Sequence, residues 1–151
     1  MMKQNLISLS VVFVLMLFFG QATCQKALTW DILGDVLFEE KYDEETELYW
    51  LIPQFGKEIK SYQNKKVNLK GYLIPIDIQS QLYVLSRYPY SSCFFCGGAG
   101  QESIVELNFK NKIGAQPVDL NATIQGKLIL NDSDFDHFNY ILEEAVILKG
   151  D

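Results

Sequence analysis

Along most of this chain apolar and polar residues alternate with a period of two, and that alternation carries most of what can be said about its fold. Val67, Leu69, Gly71 and Leu73 alternate with Asn68, Lys70 and Tyr72 until Pro75 closes the run, which is the pattern of a strand with one buried face. Leu82 to Ser86 reads as a second strand. Ile104 to Phe109 reads as a third, with Val105, Leu107 and Phe109 on one side and Glu106 and Asn108 on the other. Ile124, Gly126, Leu128 and Leu130 alternate with Gln125 and Lys127 in a fourth, and Tyr140 to Leu148 supplies a fifth with Glu143 and Glu144 inside it. Two of the five carry an internal glycine, Gly71 and Gly126, where a barrel wall can bend without a side chain to crowd it. The expected fold is therefore mainly β, a small five-stranded OB-like barrel. An antiparallel sandwich satisfies the same alternation and stays open as the alternative. The segment from Lys110 to Leu120 is too short and too polar for the helix often found between the third and fourth strands of such barrels, so a reduced barrel is expected.

Ahead of the strands the period changes. Residues 28–38 place Trp30, Leu33, Leu37 and Phe38 near one helical face, with Thr29 or Asp31 available as a cap, and predict a short N-terminal helix that Gly34 weakens. The stretch from Glu39 to Glu47 carries six acidic residues against one lysine. Like charges this dense repel one another and stay solvated, so a loop is expected there and not a cation site. Tyr49 to Pro53 then returns the chain to the body.

The first residues have a different character. Lys3 precedes an apolar run from Leu6 to Phe19, broken only by Ser8 and Ser10, and small or polar residues follow from Gly20 to Thr23. This is the pattern of a secretory signal peptide over residues 1–24. The run falls short of the roughly 20 apolar residues that span a bilayer, and no span is expected once it is removed. Two exits are open: cleavage after Cys24, or lipidation of Cys24 as the first mature residue. The expected organisation is a signal peptide (1–24), an N-terminal helix and acidic loop packing on the barrel (25–63), and the OB-like β-domain (64–151). The expected location is the periplasm or cell envelope.

Charge narrows the partners. The 151 residues hold 13 basic and 19 acidic side chains, for a net charge of −6, and the leader takes one lysine with it. With no basic face to neutralise phosphates, nucleic acid is not expected as a partner.

The candidate chemistry lies in one loop, Ser92 to Gly100, which holds Cys93, Cys96 and three glycines between the second and third strands. Haem attachment is excluded because Gly97, and not histidine, follows Cys96. A thiol–disulfide redox pair needs its first cysteine at the start of a helix, and Gly97, Gly98 and Gly100 oppose one. Two thiolates at this spacing can reach a single tetrahedral zinc ion, with His137, the one histidine, or Asp132, Asp134 and Asp136 as further ligands. The segment from Asn131 to His137 equally reads as an ordinary turn between the fourth and fifth strands. It lacks the glycine and glutamate of a calcium loop. In an exported chain Cys93 and Cys96 can also form a structural disulfide, pinning the loop beside Tyr88, Tyr90, Phe94 and Phe95 in a protein-binding module. No glycine–serine elbow and no phosphate-cradling glycine loop before a helix occurs. The expected function is a non-enzymatic exported domain that binds a transition metal, zinc, through Cys93, Cys96 and His137. A structural disulfide and a redox pair remain the alternatives.

Lys66 to Pro75, followed by Tyr88 to Cys96, then Thr123 to Leu128 and Tyr140 to Leu148, resembles an exported bacterial family known as domain of unknown function 3299. In that family a strand with a Gly-x-x-x-Pro-like element precedes a loop with cysteine and histidine close together. Cys93 matches the family cysteine, whereas Cys96 and glycines stand where the family has histidine and prolines. The resemblance implies an envelope location, work alongside an envelope transporter or another protein partner, and a transition-metal site. Cysteine in place of histidine keeps such a role, because both are transition-metal ligands.

Overall fold

The computed structural model describes residues 26–44 and 46–150, so the expected leader and both fates of Cys24 lie outside the described residues. In chain order the elements are β1 (Lys26–Ala27), α1 (Trp30–Leu33), β2 (Val36–Asp43), β3 (Leu48–Phe55), α2 (Lys57–Lys60), β4 (Lys66–Asp77), β5 (Leu82–Ser86), β6 (Ile104–Phe109), β7 (Leu120–Leu130) and β8 (Tyr140–Gly150). Three single 3-10 turns, Tyr90–Ser92, Phe94–Cys96 and Gln101–Ser103, occupy the long connection from β5 to β6.

Five of these strands close on themselves in the order β4-β5-β6-β8-β7, with β7 returning to β4. Closure is visible within β4, where Leu73 pairs with Leu85 of β5 on one side and with Leu120 of β7 on the other. A sandwich would leave free edges at this point, and the double pairing removes them. The β6–β8 contact is parallel and the other barrel contacts are antiparallel. The barrel expected from the alternation is therefore present, and the β6–β7 connection contains no helix.

Both strand glycines lie where a side chain has no room. A Cβ on Gly71 would come within 2.5 Å of Ser86 O, and one on Gly126 within 2.9 Å of Leu142 Cβ. Gly126 also sits at a register shift between β7 and β8. Inward residues such as Val67, Leu85, Leu107 and Ile124 form the core, and the N-terminal segment adds Leu33, Phe55, Ile59 and Tyr62 to the same cluster.

The N-terminal expectations need correction. The helix predicted over 28–38 is limited to Trp30–Leu33. Thr29 Oγ1 accepts from Ile32 N–H at its start, and Gly34 N–H donates to Trp30 O at its end. Val36 and Phe38 then pair with Phe55 and Pro53, a long-range partnership that overrides the weak helical pattern. The acidic stretch is exposed, as expected, but it is mostly strand and not loop. In the β2–β3 ladder Glu39, Glu40 and Lys41 stand opposite Ile52, Leu51 and Trp50, so no like charges face each other across it.

The strand bounds also move. Pro75 does not end β4, which runs on to Asp77 through a bulge, and β7 begins at Leu120. Among the described residues no helix is long and apolar enough to cross a membrane.

Candidate functional site on the outer barrel wall

Period-two geometry sends Leu73, Leu85 and Val105 into the barrel and their neighbours outward. Ile74, Val84 and Glu106 are register partners across β4, β5 and β6, and they form one row on the outer face. That face is not left to solvent. Cys93 packs onto Ile74 and Val84, Phe138 packs against the same group, and both cysteine loop and β7–β8 turn thereby lie over the row.

The cysteine loop is built as tight turns. Cys96 N–H donates to Cys93 O (3.1 Å), Gly97 N–H to Phe94 O (2.9 Å) and Gly98 N–H to Cys93 O (3.2 Å). Gly97 ends the turn at φ 71°, a left-handed conformation that glycine adopts without penalty. Residues three apart eclipse in a 3-10 turn, so Cys93 and Cys96 point the same way. Their sulfurs meet at one acceptor, with Cys93 Sγ 3.1 Å and Cys96 Sγ 3.0 Å from Tyr90 O. Both are free thiols, Cys93 fully buried and Cys96 exposed. Cys96 is therefore the thiol open to solvent, and only a single 3-10 turn follows Cys93.

His137 lies on the other side of Phe138. Its Nδ1 is 2.8 Å from Glu106 Oε1, while Phe138 N–H donates to Glu106 Oε2 at 3.1 Å. The Glu106 carboxylate thus holds the ring and the backbone beside it from beneath. The hydrogen bond to Glu106, reinforced by its charge and by Asp134 and Asp136, raises the His137 pKa above its ordinary 6.5. With Nδ1 committed to the carboxylate, Nε2 is the nitrogen left to meet a ligand.

The rest of the turn is local. Asn131 Oδ1 accepts from Ser133 N–H and Asp134 N–H, and Asp134 Oδ1 accepts from Asp136 N–H. Asp132, Asp134 and Asp136 are exposed, as turn residues would be. Beside the turn is a cleft of about 240 Å³, lined among others by Trp50, Phe94, Gln101, His137 and Asn139.

The structure therefore brings Cys93 and Cys96 together and places His137 on the same outer wall, beyond Phe138. Among the described residues no three His, Cys, Asp or Glu side chains gather closely enough to hold a metal ion. As a metal site the loop fits as half of a tetrahedral shell. Glu106 is the residue the alternation missed. Its outward position predicts exposure, which Asn108 shows, yet Glu106 is 3% exposed. Nothing in its own strand signals the loops that cover it.

No family model and no curated protein matches this chain. Among solved structures, the crystal structure of a DUF3299 family protein from Pseudomonas aeruginosa PAO1 superposes on it with a TM-score of 0.51. The match covers 83% of this chain and 97% of that one at 12% identity, a likeness of fold and not of site. In fold, this chain distantly resembles the DUF3299 family.

Proposed function

We propose that the protein is an exported, non-enzymatic cell-envelope domain that binds a transition metal, zinc, through the thiolates of Cys93 and Cys96. The observation that carries this reading is the placement of both sulfurs beside the same carbonyl, 3.1 and 3.0 Å from Tyr90 O, since two cysteines held this near each other can, once deprotonated, supply two of the four ligands of a tetrahedral zinc ion. His137 is the third ligand. Its Nδ1 is bound to Glu106, the carboxylate–histidine arrangement that orients metal-binding imidazoles, and its Nε2 is the nitrogen left to coordinate. Zinc supplies a fixed crosslink between the loop and the turn, and no reaction is assigned to it.

The test is the metal content of protein purified without a histidine tag. The expected result is about one zinc per chain, lost in Cys93→Ser and Cys96→Ser, weakened in His137→Ala, and weakened by about 10- to 100-fold in Glu106→Gln, which removes the carboxylate behind the histidine. Equal zinc in wild type and Cys93→Ser overturns the reading.

A second reading has its own observation. Cys93 is fully buried against Ile74 and Val84, where a thiol behaves as a small apolar group, and thiol–disulfide exchange with an external disulfide oxidant would bond it to Cys96, the oxidant leaving as two thiols. Titration of Cys93 and Cys96 in protein purified without added oxidant or reductant and then unfolded in chelator separates the two: no reactive thiols means a disulfide, two means a metal-competent pair.

A further inference from the structure

We propose that the outer edge of β2 takes an extended segment of a partner protein by strand addition, a segment in which two basic residues stand next to two apolar ones.

The edge comes from the topology. Among the described residues β2 pairs with β3 alone, and the two form a sheet of their own outside the barrel. A ladder uses one side of a strand, so the other side of β2 keeps a row of backbone N–H and C=O groups for an added strand. β2 is eight residues long and holds no proline, whereas β3 carries Pro53, which has no N–H to offer. The hairpin is also held in place. Phe55 at its base belongs to the core, and Trp50 stacks on Phe135 of the β7–β8 turn with centroids 4.4 Å apart. An edge fixed in advance loses little freedom when a strand is added.

The side chains choose the partner. Leu37, on one face of β2, is 75% exposed, and Phe38 beside it on the other face is half-buried. Glu39 and Glu40 follow, again one on each face, and both are exposed. Across the ladder they meet Ile52 and Leu51, and among the described residues neither is in an ion pair. Lys41 and Tyr42 complete the row, with the Tyr42 ring 5.0 Å from that of Tyr49. Asp43, Glu44 and Asp132 line the cleft beside Lys41, so the field around the edge stays negative.

Cross-strand neighbours share a face. An antiparallel partner therefore sets apolar residues against Leu37 and Phe38, basic ones against Glu39 and Glu40, and an acid against Lys41. A second copy of this chain is the poorer occupant, because its own β2 brings two glutamates for one lysine. Cys93, Cys96 and His137 take no part, so this inference stands apart from the metal reading.

The probe is the acetylated, amidated hexapeptide Tyr-Glu-Lys-Lys-Ile-Val, titrated onto the full mature chain by calorimetry and followed by hydrogen exchange. The expected result is saturable one-to-one binding with slowed exchange of the β2 amides, unchanged in Cys93→Ser. Binding weakens about 10-fold or more when Glu39→Lys and Glu40→Lys are combined, and that variant prefers the peptide with glutamates in place of the two lysines. Both positions are exposed, so the exchange of charge leaves the core alone. The same hexapeptide methylated on alternate amide nitrogens keeps its charge, cannot complete the ladder, and is expected not to bind. No saturable binding at millimolar peptide, equal binding by the methylated peptide, or self-association of the wild-type chain through β2 overturns the proposal.

Discussion

Glu106 Oε1 lies 2.8 Å from His137 Nδ1, and the two ends of this bond live in different environments: the Glu106 side chain is 4% exposed and that of His137 is 46% exposed. A carboxylate placed among Ile74, Val84 and Cys93 is costly unless its oxygens are engaged, and both are, by the imidazole and by Phe138 N–H. Since this is the one histidine of the chain, its titration can be followed without assignment. In metal-free protein the histidine resonance titrates above the ordinary 6.5, and in Glu106→Gln it falls back to that value or below. An unchanged titration in the variant would show that the carboxylate does not hold the ring.

The same bond makes stability depend on pH with a definite sign. A histidine whose folded pKa is raised contributes stability that is fully present below its unfolded pKa and is lost as pH rises through the folded value. Denaturant unfolding in chelator is therefore expected to show wild type losing stability relative to Glu106→Gln as pH rises above about 6.5, through the raised folded pKa. Parallel curves for the two proteins would refute this.

Tyr140 ties β8 to the N-terminal segment, its hydroxyl donating to Leu33 O at 2.6 Å in the core. Tyr140→Phe leaves that carbonyl without its partner and is expected to cost about 1–2 kcal/mol in equilibrium unfolding. A neutral substitution would mean that this hydrogen bond adds nothing to stability.

Asp35 anchors the second short helix. Its Oδ2 accepts from Glu58 N–H at 2.8 Å and from Ile59 N–H at 3.2 Å, the role of a helix cap supplied from 23 residues away. Asp35→Ala is expected to lose about 1 kcal/mol by the same assay, and Asp35→Asn to recover most of it.

Gly71 and Gly114 provide a matched pair. A methyl group at Gly71 meets backbone and Trp30 at under 3.0 Å, whereas at Gly114 nothing lies within 4 Å. Gly71→Ala is expected to destabilise the barrel by about 1–3 kcal/mol, and Gly114→Ala to stay within about 0.5 kcal/mol of wild type. Equal melting temperatures for the two variants would refute the steric account.

The strands were legible because each is long enough for its alternation to show. Leu82–Ser86 and Ile104–Phe109 match their expected bounds, and Gly71 and Gly126 mark real crowding. The N-terminal region was read less well. Trp30 to Phe38 satisfies a helical spacing, yet from Val36 onward the chain pairs with residues near 55, and no local pattern announces a partner that far along. The cysteine loop was legible as a turn without a helix, since its glycines permit little else.

By itself the sequence determined the five strands, their two crowded glycines and the one loop that holds both thiols, because period-two burial and glycine geometry are local properties, while closure of the strands into a barrel and not a sandwich came from the β4–β7 pairing. Only the tertiary structure decided that Glu106 is buried, that it holds His137, and that Trp50 from the hairpin stacks on Phe135 from a distant turn. An alternation records which face of a strand looks into the barrel. It holds no record of what remote segments lay over the other face, and that is where Glu106 is buried and His137 is held.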